Sequence, residues 1–130
     1  MGTLVVDGNN VVGAVPDGWW RDRPAAVRRL VGRLSCYAEA TGDRVVLALD
    51  VPQPDLPAGD NEGIEVVYPA RRGRDAADHR IVELLGEQGA AAGDVEVVTS
   101  DRALAARAAE RGARITGARS FLSRLEARGC

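Results

Sequence analysis

The feature of this sequence that most constrains its fold is the alternation of short apolar segments with longer segments of helical periodicity. Four of the short segments are rich in valine, leucine and isoleucine and have the length of a strand: 3–6, 44–49, 64–68 and 95–99. Strands that are apolar along most of their length are typical of a parallel sheet covered by helices on both faces. The pattern therefore predicts a three-layer α/β/α, Rossmann-like domain with a central, mostly parallel sheet.

The segments between these strands predict helices and loops. One helix is expected to begin at Pro24, a residue favoured in the first helical turn, and to end at Gly42. Further helices are expected at about 75–86, 101–111 and 120–127, with a short fifth strand at 113–116. Residues 8–10 are predicted to form a turn, and residues 52–63, with three prolines and two glycines, a loop.

Composition limits the class of protein. The 130 residues, 45% of them hydrophobic, suit one packed domain spanning residues 1–130. A formal net charge of −2 argues against a protein that coats nucleic acid through bulk positive charge. Cys36 and Cys130 lack the spacing of a zinc or redox motif, which favours a reducing compartment. With no export signal and no long apolar run, we expect a cytoplasmic protein without a membrane partner, and the oligomeric state is left open.

Aspartates lie at or beside the ends of three predicted strands. They are Asp7, Asp50 and Asp101. Because the carboxyl ends of parallel strands form the ligand crevice of an open α/β sheet, we expect these side chains at one edge. Asp78 begins the helix after the third strand and precedes Ile81 by three residues, which places it on the apolar side of that helix. All four carboxylates are therefore expected to lie together.

A cluster of carboxylates indicates a cation. Two carboxylates about 4 Å apart repel by about 4 kcal/mol at an effective dielectric constant of about 20. A protein of marginal stability would not gather several of them without compensation. Ligand sets made only of oxygen select hard cations such as Mg²⁺ or Mn²⁺. Such ions also bind substrate phosphate, which suits phosphodiester hydrolysis.

Each aspartate also has a purely structural interpretation. Asp7 can form a turn with the glycine that follows it, and Asp50 can simply end a strand. Asp75 and Asp101 are placed to cap helices. Asp78 can be an acid favoured by the dipole of the first helical turn.

Three sequence motifs occur in order along the chain. They are DGNNVVG at 7–13, VVY at 66–68 followed by RRGRDAADHRI at 71–81, and VVTSDR at 97–102. Together with a closing segment around 119–122, they resemble YacP-like NYN domains of the PIN-like nuclease superfamily. The resemblance covers nearly the whole chain. It implies a PIN-like fold and a metal-dependent ribonuclease of endonucleolytic type, with a role on ribosome-associated mRNA.

The resemblance also implies roles for individual residues. Asp7 would be the central metal ligand, with Asn10 as a substrate-binding partner on the adjoining loop. The remaining acidic residues would complete the site. Asp78 and Asp101 would be catalytic residues and metal ligands, as would Asp7, and Asp50 and Asp75 would be further metal ligands. Asn9 stands where the family usually has a tyrosine.

Arginines and tryptophans lie near these motifs. Arg72, Arg74 and Arg102 are predicted to bind substrate phosphate, because the guanidinium group matches phosphate geometry. A solvated basic loop is the structural alternative. Trp19 and Trp20 can stack on bases, although packing against the edge of the domain is the favoured interpretation.

A catalytically silent RNA- or ribosome-binding module is the alternative function. The other enzyme classes fit less well. A metal-independent ribonuclease commonly needs a pair of acid–base groups, and His79 is the only histidine. The turn after the first strand is not the glycine-rich turn of a dinucleotide-binding protein. A phosphatase with a nucleophilic aspartate would be expected to carry a second aspartate at the position of Asn9.

Overall fold

The computed structural model describes residues 2–70, 73, 76–88 and 94–130, without the side chains of residues 87 and 88. Its centre is a six-stranded sheet with the strand order β3-β4-β2-β1-β5-β6. The strands are β1 (Thr3–Asp7), β2 (Arg44–Ala48), β3 (Gly59–Asn61), β4 (Ile64–Val67), β5 (Val95–Val98) and β6 (Arg114–Thr116). All neighbouring strands are parallel except β3 and β4, which confirms the mostly parallel sheet.

Helices cover both faces of this sheet. They are α1 (Gly8–Ala14), α2 (Arg23–Thr41), α3 (Ala76–Gln88), α4 (Arg102–Glu110) and α5 (Ala118–Ala127). Alternate residues of the strands point to opposite faces: Leu4 and Val6 pack with α1, α2 and α5, whereas Val5 and Val97 pack with α3 and α4. The three-layer α/β/α architecture is therefore confirmed.

Helix α2 shows how local sequence signals set its ends. The side chain of Asp22 accepts a 3.1 Å hydrogen bond from the N–H of Ala25, and Pro24 lies in the first turn. Gly42 ends the helix in a left-handed conformation with φ of 74°, which glycine adopts without steric cost.

Two elements differ from the sequence prediction. The turn predicted at residues 8–10 is wrong, because these residues form the first turn of α1. Their asparagines, Asn9 and Asn10, bond to distant loops and so leave the local backbone to form a helix. The loop predicted at 52–63 contains the edge strand β3, which pairs with β4 across Glu62 and Gly63. Both of these residues have positive φ, as in the tight turns of β-hairpins.

The strand order creates a topological switch point at β1. The chain passes from β1 through α1 and α2 to β2 on one side, and from β4 through α3 to β5 on the other side. The connection that leaves β1, through α1 and α2, covers one face of the sheet, and the connection that leaves β5, through α4, covers the opposite face. Ligand sites of open α/β sheets lie in the crevice at such a point, beyond the carboxyl ends of the strands.

A disulfide joins α2 to the segment after α5. It pairs Cys36 with Cys130, which are 94 residues apart and have Cα atoms separated by 5.7 Å. The side chain of Arg33 also donates a hydrogen bond to the carbonyl of Cys130. Sequence reasoning missed this pairing, because residues so distant in the chain carry no spacing signal. Structural disulfides are rare in reducing compartments, so the pairing argues against the compartment that the sequence favours.

Within the described parts of the chain, no helix is both long and apolar enough to span a bilayer.

Candidate active site

Asp7 lies at the carboxyl end of the central strand, next to the switch point, and is only 5% exposed. The following residue, Gly8, begins α1 in direct contact with β2. A Cβ atom at this position would lie 2.6 Å from Cδ2 of Leu49 and 2.8 Å from the carbonyl oxygen of Ala48. Only glycine therefore lets the chain turn here and leave the Asp7 carboxylate at the end of the strand.

The Asp7 carboxylate carries an unfavourable charge. Burial raises the pKa of Asp7 from its ordinary value of 3.8 to about 6, a hydrogen bond from Thr99 partly offsets this rise, and the charges of Asp78 and Asp50 add to it. At neutral pH the carboxylate is thus ionised but poorly solvated and close to like charges. A bound cation would relieve both penalties.

Thr99 connects Asp7 to the loop after β5. Its side chain is buried, and its hydroxyl donates a 2.8 Å hydrogen bond to Oδ2 of Asp7. The hydroxyl oxygen of Thr99 in turn accepts a 3.1 Å hydrogen bond from the backbone N–H of Asp101. Sequence reasoning assigned Thr99 no role, although it is part of the VVTSDR motif. Its position directly after an apolar strand and near an aspartate is the signal that could have identified it.

Asp78 lies in the first turn of α3, where the sequence placed it on the apolar side of the helix, and it is 7% exposed. Its charge acts on Asp7, as the raised pKa of Asp7 shows. The side chain of Arg107, from α4, approaches it to 3.8 Å. The first turn of α3 therefore brings a second buried carboxylate to the same edge of the sheet.

Asp50 and Asp101 follow β2 and β5, and each accepts hydrogen bonds from the start of a helix. Oδ1 of Asp50 accepts a 3.0 Å hydrogen bond from the N–H of Ala77 in α3. Oδ1 of Asp101 caps α4 by accepting from the N–H groups of Ala103 and Leu104, at 2.9 and 3.1 Å. In the described part of the chain, Oδ2 of neither residue takes part in a hydrogen bond. Each carboxylate can thus cap a helix through one oxygen and bind a ligand through the other.

Asn9 and Asn10 tie α1 to the loops on both sides of β1. Oδ1 of Asn9 accepts a 3.0 Å hydrogen bond from the backbone N–H of Asp50. Oδ1 of Asn10 accepts a 2.8 Å hydrogen bond from the backbone N–H of Ser100. Asn9 therefore positions the loop after β2, and the side-chain oxygen of Asn10, predicted to bind substrate, is engaged in positioning the loop after β5.

Of the three arginines predicted to bind substrate, one lies in the described part of the chain. Arg102 is exposed at the start of α4, directly after Asp101. Arg72 and Arg74, together with the predicted metal ligand Asp75, lie outside the described residues.

The donors at this edge of the sheet suit a hard cation in their chemistry, since they are carboxylate oxygens. Among the described residues, no three histidine, cysteine, aspartate or glutamate side chains are arranged as a ready-made metal site. Asp7, Asp50 and Asp78 are nevertheless close enough for the last two to raise the pKa of the first. A cation would therefore have to draw these carboxylates together against their mutual repulsion.

Comparison with known proteins identifies the family. The model of the YacP-like NYN domain matches residues 4–129 of this chain. The chain belongs to the YacP-like NYN family. This confirms the resemblance seen in the sequence motifs, and it makes the protein a nuclease-family domain with a PIN-like fold.

Solved structures of Rae1 (YacP) from Bacillus subtilis are similar to this YacP-like NYN domain. The W164L mutant is 28% identical, with a TM-score of 0.82 over 99% of this chain and 77% of that chain. A second crystal structure of Rae1 is 27% identical, with a TM-score of 0.81 over 99% of this chain and 76% of that chain. No curated protein sequence matches the chain.

Proposed function

We propose that this YacP-like NYN domain is a metal-dependent endoribonuclease that hydrolyses RNA phosphodiester bonds with Mg²⁺ or Mn²⁺. The observation that carries the proposal is the buried Asp7 carboxylate at the switch point, whose pKa is raised by burial and by the charges of Asp78 and Asp50. In the absence of metal, a buried carboxylate near like charges destabilises the protein, but such a carboxylate is well placed to bind a divalent cation.

In this proposal four carboxylates from different elements bind the ion. Asp7 is the central ligand, and Asp78 approaches from α3. Asp50 and Asp101 contribute their Oδ2 atoms while their Oδ1 atoms keep the helices in place. When bound, the ion activates water and neutralises charge on the phosphate. Thr99 holds the Asp7 carboxylate in one orientation through its hydrogen bond to Oδ2.

The remaining predicted residues contact the substrate or complete the ligand set. Arg102, exposed next to Asp101, binds the phosphate backbone. Arg72 and Arg74 have the same role in the proposal, and Asp75 is a further metal ligand, on the strength of the sequence motif alone.

The biological setting is part of the same proposal. The partner is RNA, including mRNA on the ribosome, and this last point is inferred only from the family resemblance. We also propose a cytoplasmic location and a single domain spanning residues 1–130. The Cys36–Cys130 disulfide is the observation that argues against the cytoplasm.

A catalytically silent RNA- or ribosome-binding module is the second candidate. One observation favours it: Asp50 and Asp101 both serve as helix caps, so they have a structural reason to be present without any metal.

A cleavage assay separates the two candidates. The wild-type protein is incubated with end-labelled RNA in Mg²⁺, in Mn²⁺ and in EDTA, next to Asp7→Asn. The matched control is Asp60→Asn, which makes the same change at an exposed residue of the edge strand β3. The ribonuclease proposal expects internal cleavage by the wild type and by Asp60→Asn in metal, and loss of cleavage in EDTA and in Asp7→Asn. RNA binding without cleavage in either metal would instead establish the silent module.

A further inference from the structure

An open groove lies beside the aspartates, between α1, the short 3₁₀ turn at Trp19–Arg21 and the start of α5. Its volume is about 540 Å³, within the range of roughly 300–1,000 Å³ that is typical of small-ligand sites. The lining residues that matter here are Asn10, Gly13, Trp19, Ser100, Arg119 and Ser120.

The groove borders the Asp7 site. Asn10 and Ser100 form one wall, held together by the hydrogen bond from the Ser100 N–H to the Asn10 side chain. Ser100 directly follows Thr99, whose hydroxyl is bonded to Asp7. A molecule in the groove therefore lies next to the carboxylates, with only this wall between them.

Trp19 provides an aromatic surface in the groove. It is half-buried and packs against the core on the α1 and α2 side of the sheet. The ring of Trp20 meets it edge-on at 6.0 Å between centroids, and the guanidinium of Arg23 lies 6.0 Å from its centroid. These contacts hold the indole in place, so it does not need to be ordered when a ligand arrives.

Arg119 provides a positive charge from the first turn of α5. Its side chain is exposed, and within the described part of the chain it forms no ion pair. Most exposed arginines of α2, such as Arg28 and Arg29, are by contrast paired with aspartates. Arg119 is therefore available to an anion in the groove.

Gly13 keeps the groove open. A Cβ atom at this exposed position of α1 would meet a single atom within 4 Å, Cζ2 of Trp19 at 3.9 Å. A larger side chain would extend over the indole and into the groove. The last glycine of the DGNNVVG motif thus leaves the aromatic surface accessible.

We propose that this groove binds one unpaired nucleotide of the substrate, with its base against Trp19 and its phosphate against Arg119, next to the scissile phosphate at Asp7. The inference rests on the proposed ribonuclease function and adds to it a binding site for one unpaired nucleotide beside the carboxylates. Every base has a face that can stack on an aromatic ring, but that face is accessible only when the base is unstacked from its neighbours. A duplex cannot insert a base between α1 and α5 without unpairing it.

The fluorescence of individual tryptophans tests this placement, because the chain has only two. In an Asp7→Asn background, Trp20→Phe leaves Trp19 as the only tryptophan, and the matched variant Trp19→Phe leaves Trp20, which is 64% exposed. Each protein is titrated with a single-stranded octauridylate and with a blunt, GC-rich RNA duplex of about 16 base pairs, which stays paired throughout the titration. We expect the single strand to quench Trp19 saturably, to change Trp20 little, and to bind at least about ten times more tightly than the duplex.

Two substitutions then test the groove itself. Gly13→Leu should weaken binding of the octauridylate at least about ten-fold, whereas Gly32→Leu, at an exposed helical glycine with open space around it, should leave the affinity unchanged. Arg119→Ala should lower the slope of log affinity against log salt by about one, as expected for one lost phosphate contact.

Three results would overturn the proposal. One is binding of the single strand without quenching of Trp19 and without an effect of Gly13→Leu, which would place the RNA elsewhere. A second is equal affinity for the duplex. The third is no binding of either RNA. In each case the Mn²⁺-dependent cleavage of RNA by the wild type still decides the ribonuclease proposal separately.

Discussion

The hydroxyl of Thr99 donates a 2.8 Å hydrogen bond to Oδ2 of Asp7, between the ends of the adjacent strands β5 and β1. The same hydroxyl oxygen accepts from the backbone N–H of Asp101. One buried threonine therefore orients the central carboxylate and the loop that carries another. The geometry of the site depends on this contact as well as on the carboxylates.

Replacing Thr99 by valine should raise the pKa of Asp7 further, because the hydrogen bond from Thr99 lowers it. The low-pH limb of the profile of cleavage rate against pH should then move to higher pH. The protein should also lose about 1–3 kcal/mol of unfolding free energy, the usual cost of leaving buried polar groups without partners. Thr99→Ser keeps the hydroxyl and should retain the wild-type pH profile. An unchanged profile in Thr99→Val would show that the contact does not control Asp7.

Asp7 should make the metal-free protein less stable as the pH rises. The pKa is about 6 in the folded protein against an ordinary value of 3.8, so between about pH 4 and 6 the folded state keeps a proton that the unfolded chain has released. The free energy of unfolding therefore falls through this window, by up to about 3 kcal/mol for a shift of about two pH units. Asp7→Asn removes this dependence. Denaturant unfolding in chelator should find the variant close to wild type at pH 4 and more stable at pH 8, and parallel curves for the two proteins would contradict the shift.

Divalent metal should stabilise the wild type, because it binds only the folded carboxylate cluster. At a concentration 100 times its Kd the gain is about 2.7 kcal/mol. Asp78→Asn should reduce this gain, and in chelator it should be as stable as wild type or more so, by about 1 kcal/mol, because the repulsion relieved at Asp7 outweighs the loss of the 3.8 Å ion pair with the partly exposed Arg107. Thermal melts with Mn²⁺ and with EDTA measure both effects, with Asp60→Asn as the control that keeps the full gain. If Asp78→Asn is instead destabilised and metal does not change the stability of the wild type, Asp78 is an acid stabilised by the dipole of the first turn of α3 and not a metal ligand.

Asp101 allows capping to be separated from chemistry. Asp101→Asn keeps an oxygen that can cap α4 and removes the charge, whereas Asp101→Ala removes both. We expect Asp101→Ala to lose about 0.5–2 kcal/mol of stability and Asp101→Asn to lose little. Both should lose cleavage if the charge binds metal. Full activity in the stable Asp101→Asn protein would restrict Asp101 to the structural role.

The disulfide should matter for stability and not for cleavage. Reduction should cost up to about 4.7 kcal/mol, the loop-closure entropy for a loop of roughly 100 residues. Cys36 lies in the second half of α2 and Cys130 follows α5. Both helices run back from the carboxyl edge of the sheet, so these residues lie at the edge opposite Asp7. Melts and cleavage assays with and without reductant test this, with Cys130→Ser as the variant that reductant should not affect. Full stability of the reduced protein would remove the argument against a cytoplasmic location.

The elements of this fold could largely be predicted from the sequence because their signals are local. The apolar segments of β1, β2, β4 and β5 and the helical spacing of α2 to α5 need only neighbouring residues to be recognised. The same reasoning failed for β3, whose three residues are held by pairing with β4 at the edge of the sheet. It also failed for α1, whose first residues look like a turn until their side chains find partners in other loops.

By itself the sequence determined the α/β class, the family and the aspartates at the ends of strands, because these follow from periodicity, motifs and the position of each residue in its own element. Only the tertiary structure decided how those aspartates are used. Strand order brings Asp7 beside Thr99, residues that are 92 positions apart in the chain, and the approach of α3 turns Asp50 into a helix cap for Ala77, 27 positions away. Hydrogen bonds, burial and charge repulsion act between atoms that are close in space, and closeness across such separations in sequence exists only once the chain has folded.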